Sequence, residues 1–126
     1  MYSKDNMDFK KEFSLEQRTK EAQRVLTKYP DRVPIICEKV KKSKLDPMTK
    51  KKYLVPWDLT IGQFVFILRR RMTLPAEKGI FLFVGNTIPP TSSTVKEIYT
   101  QYHSKDGFLY IQYSDENVFG GNMEPI

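Results

Sequence analysis

A chain of 126 residues with 40% hydrophobic residues is long enough for one domain with a real core and too short for two. It has no apolar run long enough for a membrane span, and MYSKDNMDFKKEF at its start lacks the apolar segment of a secretory signal, so the expected location is the cytoplasm. Cys37 and His103 are the only residues of their types, which excludes an internal disulfide and a zinc site built of Cys and His, while a net charge of +6 admits acidic peptides, anionic membranes and nucleic acid as partners.

Residues 1 to 13 hold Phe9 and Phe13 one helical turn apart, which predicts a short helix. Ser14 and Gln17 have the spacing of a capping box, and Ala22, Val25, Leu26 and Tyr29 follow at helical spacing. An amphipathic helix over Leu15 to Lys28 is expected, closed by Tyr29-Pro30. Val33 to Val40 reads as a strand with Val33, Ile35 and Cys37 on one face and Pro34, Ile36 and Glu38 on the other; Cys37 is thereby a small core residue rather than an exposed nucleophile. The charged turn KKSKLDPMTKK leads to a second strand, Tyr53 to Val55. Pro56 lacks a backbone donor and places that strand at a sheet edge.

Thr60 with Gln63 is a second capping box, so the central helix starts at Ile61 and runs to Arg69, Arg70 and Arg71, whose charges suit its C-terminal end. Ile61, Val65, Leu68 and Met72 form its core stripe. Phe64 and Ile67 form a second stripe, which either packs beneath another part of the same chain or lines a groove between strand and helix. Ile80 to Val84 is an apolar run of the kind found in a strand buried on both faces, the Pro- and Ser/Thr-rich residues 87 to 94 are a loop, and Val95, Ile98, Tyr99 and Tyr102 return to helical spacing. Phe108 to Tyr113 is the last strand, and the polar residues from Ser114 to Ile126, with Gly120 and Gly121, have too little apolar surface to pack on the domain. The short basic clusters, such as Lys10-Lys11 and Lys50 to Lys52, are dispersed as a solvated surface and do not gather on one recognition helix, which argues against nucleic acid. The order of elements is that of an α+β domain.

KYPDRVP at Lys28 to Pro34, KKKYLVP at Lys50 to Pro56, DLTIGQF at Asp58 to Phe64, IPPTS at Ile88 to Ser92 and FLYIQYSDENVFG at Phe108 to Gly120 together resemble the autophagy ubiquitin-like modifiers of the GABARAP and light-chain-3 type. The resemblance implies a ubiquitin-like β-grasp core, a four-stranded mixed sheet over residues 31–114. It also implies two extra N-terminal helices in residues 1–30, packed on the core, and a flexible tail over 115–126. It further implies a protein that is a substrate and not an enzyme and that needs no cofactor. A cysteine protease trims the precursor, E1-like and E2-like enzymes pass it on, and its terminal glycine is joined to phosphatidylethanolamine. On the matching residues, Phe119 and Gly120 end the mature form and the Gly120-Gly121 bond is cut, moving a cytoplasmic protein to the autophagosome membrane. Glycine suits a terminus that must thread narrow enzyme channels.

The same resemblance implies a groove for short motifs of cargo receptors and adaptors, in which an aromatic residue and, three positions on, an aliphatic one enter two pockets beside the second strand. The aromatic pocket would be Glu21, Val25, Pro34, Ile36, Lys52, Leu54 and Phe108; the aliphatic pocket Tyr53, Val55, Pro56, Leu59, Phe64 and Ile67. Arg32 and Lys50 would attract acidic flanks. Two residues depart from the pattern. Gly121 follows the expected terminal glycine, and Trp57 stands where a small or polar residue is expected, either as an exposed aromatic at the groove rim or as an added partner contact. The competing reading is a non-conjugated trafficking adaptor that binds receptors or microtubules (tubulin) through the same groove.

Overall fold

The structure, a computed structural model, describes residues 7–117. Its elements are α1 (Asp8–Glu12), α2 (Leu15–Lys28), β1 (Arg32–Lys39), β2 (Lys52–Pro56), α3 (Ile61–Met72), β3 (Phe81–Phe83), α4 (Val95–Tyr102) and β4 (Leu109–Ser114). Helices α2, α3 and α4 each follow a complete capping box, Ser14 with Gln17, Thr60 with Gln63 and Thr94 with Glu97, so three of the four helix starts are dictated locally. Helix α1 has no side-chain cap of its own. Its N-terminal N–H groups, those of Asp8 and Phe9, donate instead to the two carboxylate oxygens of Glu38 at 2.8 and 2.9 Å.

The sheet order is β2-β1-β4-β3, with β1 and β4 parallel at the centre and both outer pairs antiparallel. This is the four-stranded mixed sheet expected, and β2 is indeed an edge strand. The alternation read in β1 holds: Val33, Ile35 and Cys37 enter the main core with Ile61, Phe64, Leu68, Leu109 and Ile111. On the opposite face, Ile36 packs with Met7, Phe9, Ala22, Phe108 and Tyr110, so the two N-terminal helices close the second side of the sheet. Cys37 is fully buried, and burial pushes its thiol well above the ordinary range, so it is not a reactive nucleophile.

Two expectations are corrected. The third strand is the short edge strand Phe81–Phe83, because Val84 instead bridges back to Thr87 around the Gly85 turn; Leu82 and Phe83 are nonetheless both buried. The last strand runs on to Ser114, and the residue after it is tied down, with Ser43 Oγ donating to the Asp115 carboxylate at 2.9 Å. The polar segment is thus held at its first residue. Phe119, Gly120 and Gly121 lie outside the described residues.

Gly107 precedes β4 with a φ of +96°, and a Cβ there would stand 2.9 Å from the Cβ of Ala22 on α2. Gly107→Ala is expected to lower stability by about 1–3 kcal/mol, through backbone strain and displacement of α2, and a denaturant titration would show it as a reduced midpoint.

Candidate peptide groove

The chemistry of the open edge follows from the ladder. The Lys51 carbonyl accepts from Cys37 N–H and the Trp57 N–H donates to the Asp31 carbonyl, so the odd-numbered residues of this segment bond inward to β1. Alternation leaves the N–H and C=O groups of Lys52 and Leu54 facing outward, while Pro56 has no N–H to offer. An extended peptide can therefore add here as a further strand. Pro56 ends the donor row on one side.

On the α2 side of β2 lies a cavity of about 350 Å³. Six of the seven residues expected of the aromatic pocket line it: Glu21 and Val25 from α2, Pro34 from β1, Lys52 and Leu54 from β2, and Phe108. Ile36 does not. It is fully buried beneath the opening, in the cluster that Phe9 covers. Arg24, Lys50 and Tyr53 also line the cavity. Arg24 was legible in principle, since it lies one turn beyond Glu21 on the same helix. Lys52 Nζ bridges both Glu21 carboxylate oxygens at 2.7 and 2.8 Å and lies 5.5 Å from the Phe9 ring centroid, which joins α2, α1 and the edge strand at one point.

The aliphatic set divides differently. Tyr53, Val55 and Phe64 are buried in the main core, Phe64 at 0% exposure with its ring edge-on to Tyr53 at 5.4 Å. Leu59 is half-buried against that core, Ile67 is half-buried, and Pro56 is exposed. Of this set, only these three reach the surface. Of the second stripe, Phe64 therefore resolves as packing within the chain while Ile67 stays half-buried, and the apolar side chain that α3 leaves most exposed is Phe66, 60% exposed beside Arg70. It was missed because it lies outside both stripes.

Arg32 is exposed with its guanidinium 5.7 Å from the Tyr29 ring, and Lys50 and Arg71 place cations 5.0 and 5.8 Å from the ring centroid of Tyr53. Burial chiefly pushes the Tyr53 hydroxyl up to about 12, with Arg71 pulling the other way. Lys50, Arg71, Met48 and Met72 also line a second cavity of about 310 Å³ on the α3 side. The groove is thus apolar at its floor and cationic at its rim, which suits an acidic peptide. Among the described residues, no helix is long and apolar enough to cross a membrane, and no three His, Cys, Asp or Glu side chains come together as metal ligands.

Residues 17–120 match the family model described as "Autophagy protein Atg8 ubiquitin like". The chain belongs to the Atg8 family. Autophagy-related protein 8 of Schizosaccharomyces pombe is 55% identical over 112 residues, which cover 89% of this chain and 93% of that protein. The Kluyveromyces lactis protein of the same name is 53% identical over 112 residues, 89% of this chain and 90% of the relative. Among solved structures, Trypanosoma brucei ATG8 superimposes with a TM-score of 0.83 at 43% identity, covering 86% of this chain and 94% of that one. Plasmodium falciparum Atg8, solved in complex with a Plasmodium falciparum Atg3 peptide, superimposes with a TM-score of 0.80 at 36% identity, covering 87% and 97%. The Atg8 fold is ubiquitin-like, as expected from the motifs, and this Atg8-family chain is a ubiquitin-like modifier of autophagy, not an enzyme.

Proposed function

We propose that this chain is cut after Gly120, conjugated through that glycine to phosphatidylethanolamine, and then recruits cargo receptors and adaptors to the autophagosomal membrane through the β2 groove. The observation that carries the groove is the juxtaposition of unpaired edge groups at Lys52 and Leu54 with the 350 Å³ cavity beside them. The match of the family model through residue 120 supports the placement of the cut. The Plasmodium relative's Atg3 peptide supports conjugation enzymes as partners here too. Membrane attachment comes from the two acyl chains gained on conjugation, an anchor strong enough for stable residence.

The test is reconstitution of full-length protein with a matching protease, conjugation enzymes, ATP and vesicles containing phosphatidylethanolamine. Intact mass should first fall by residues 121–126, and the trimmed form should then float with the vesicles. Gly120→Ala should stop the sequence, whereas Gly121→Ala should leave the product unchanged. A lipid amide on Gly121 would move the cut by one residue. No processing at all would favour the non-conjugated adaptor, including its tubulin-binding form.

The groove is checked separately by calorimetry with a short acidic peptide carrying an aromatic residue and, three positions on, a Leu, Ile or Val. Affinity should be roughly micromolar. Leu54→Ala, a half-buried cavity residue, should weaken it by about 1–3 kcal/mol without unfolding the domain. Unchanged affinity in this variant would remove the groove assignment.

A further inference from the structure

We propose that Trp57, backed by Lys96, is a third subsite of the groove, one that reads the residues following the aliphatic anchor of a bound peptide. This rests on the groove reading above. The aromatic cavity lies at Lys52 and Leu54 and the aliphatic surface at Pro56 and Leu59. A motif with its aromatic residue first must therefore run in the same direction as β2. Beyond the aliphatic anchor, the peptide meets Trp57, the residue at which the chain leaves the strand.

The geometry there is that of a fixed platform. The Trp57 N–H donates to the Asp31 carbonyl at 3.1 Å, continuing the β1 ladder, and the Trp57 carbonyl accepts from the Lys96 N–H at 2.9 Å. Both backbone groups are committed, so the residue is pinned between the start of β1 and the start of α4. The helix starts behind it are locked to one another as well. Val95 N–H donates to the Leu59 carbonyl at 2.7 Å and Ile61 N–H to the Ser93 carbonyl at 2.8 Å. The indole nevertheless stays 43% exposed, with Lys96 Nζ 4.3 Å from its ring centroid. Trp57 directly follows Pro56 at the end of β2, and its N–H continues the ladder to Asp31, so the indole stands next along the edge after the residues assigned to the aliphatic anchor.

A large apolar surface held rigid beside a cation loses little conformational freedom on binding, which is what makes an aromatic residue an effective anchor. The occupant is accordingly the peptide's own continuation. By the period of two, an aromatic side chain two residues beyond the aliphatic anchor falls on the indole, and an acidic residue next to it comes within reach of Lys96. Lys96 is the cation of the site, with exposed Asp58 and Glu97 adjacent in the chain to Trp57 and Lys96, so the attraction for an acidic residue there rests on Lys96.

The test is calorimetry of the full chain with two synthetic peptides. The core peptide ends one residue after its aliphatic anchor; the extended peptide continues with Phe two residues after it and then Glu. The extension should tighten binding to the wild type by about fivefold, the gain of one well-placed aromatic contact. Trp57→Ser should abolish that gain while leaving the core peptide's affinity unchanged, and Lys96→Met should reduce the gain. If Trp57→Ser lowers the melting temperature, Trp57→Gln takes its place. If the core peptide binds but the extension adds nothing, or adds as much in the Trp57 variant, the subsite is wrong and the groove stands. If the core peptide does not bind the wild type, the groove reading fails and the subsite fails with it.

Discussion

Phe64→Ala is expected to destabilise the domain by about 3–5 kcal/mol, the range for deleting a large buried aromatic from a core. The ring is 0% exposed, meets Tyr53 edge-on at 5.4 Å, and shares the main core with Ile61, Leu68 and Val55. That loss is a large part of the stability of an ordinary domain. Equilibrium urea unfolding should show a lower midpoint with an unchanged slope. The same substitution would also weaken peptide binding, but through loss of the fold. For this reason Leu54→Ala, and not Phe64→Ala, is the clean probe of the groove. A midpoint within experimental error of the wild type would show that Phe64 is not the core residue its burial makes it.

The second large effect is expected at Asp106. This carboxylate is 1% exposed and accepts from Arg18 Nε at 2.9 Å, from the Phe108 N–H at 2.9 Å and from the Tyr110 hydroxyl at 2.5 Å. Burial and this carboxylate together hold the Tyr110 hydroxyl protonated far above its usual range. Asp106→Ala leaves three donors without their acceptor and the nearly buried Arg18 without its counter-charge. Breaking one side of a buried pair lowers stability by about 3–5 kcal/mol, which for a chain of this size lowers the melting temperature by about 10–20 °C. Asp106→Asn keeps the shape and one acceptor oxygen, so its loss should be smaller. Equal melting temperatures for Asp106→Ala and the wild type would sink this account. Because Arg18 sits on α2 and Phe108 borders the cavity, Asp106→Asn is also expected to weaken the core peptide modestly.

Much of this architecture was legible in the sequence where the signal is local. The boundaries of α2 and the start of α3 follow from Ser14, Gln17, Thr60 and Gln63, because a capping box is a contact between residues three apart. Pro56 marked the edge strand for a similarly local reason. What escaped the pattern depends on contacts between distant residues. Ile36 alternates onto the expected face, yet it is sealed by Phe9 from α1, and α1 is itself anchored by Glu38, 30 positions away. Phe64 and Ile67 have equivalent helical spacing, and only the packing of α3 on the sheet separates the buried ring from the half-buried side chain. The motif resemblance implied that the sheet is mixed, but the parallel pairing of β1 with β4 was not read, since no periodicity reveals a partner from the far end of a chain.

That central pairing has a kinetic consequence. The two middle strands of the sheet are the first and the last to be made, and their parallel register brings Ile35 beside Leu109. Long-range pairs of this kind require loop closure before they return any contact energy, so folding should be slow for the domain's size and should wait for β4. A nascent chain that has not yet released β4 from the ribosome leaves the floor of both cores open. On the proposed reading, the segment to be cut and conjugated is attached directly to that final strand. An incomplete or truncated domain would then have no docked β4 from which to present a terminus, and the order of synthesis itself would withhold defective copies from the membrane.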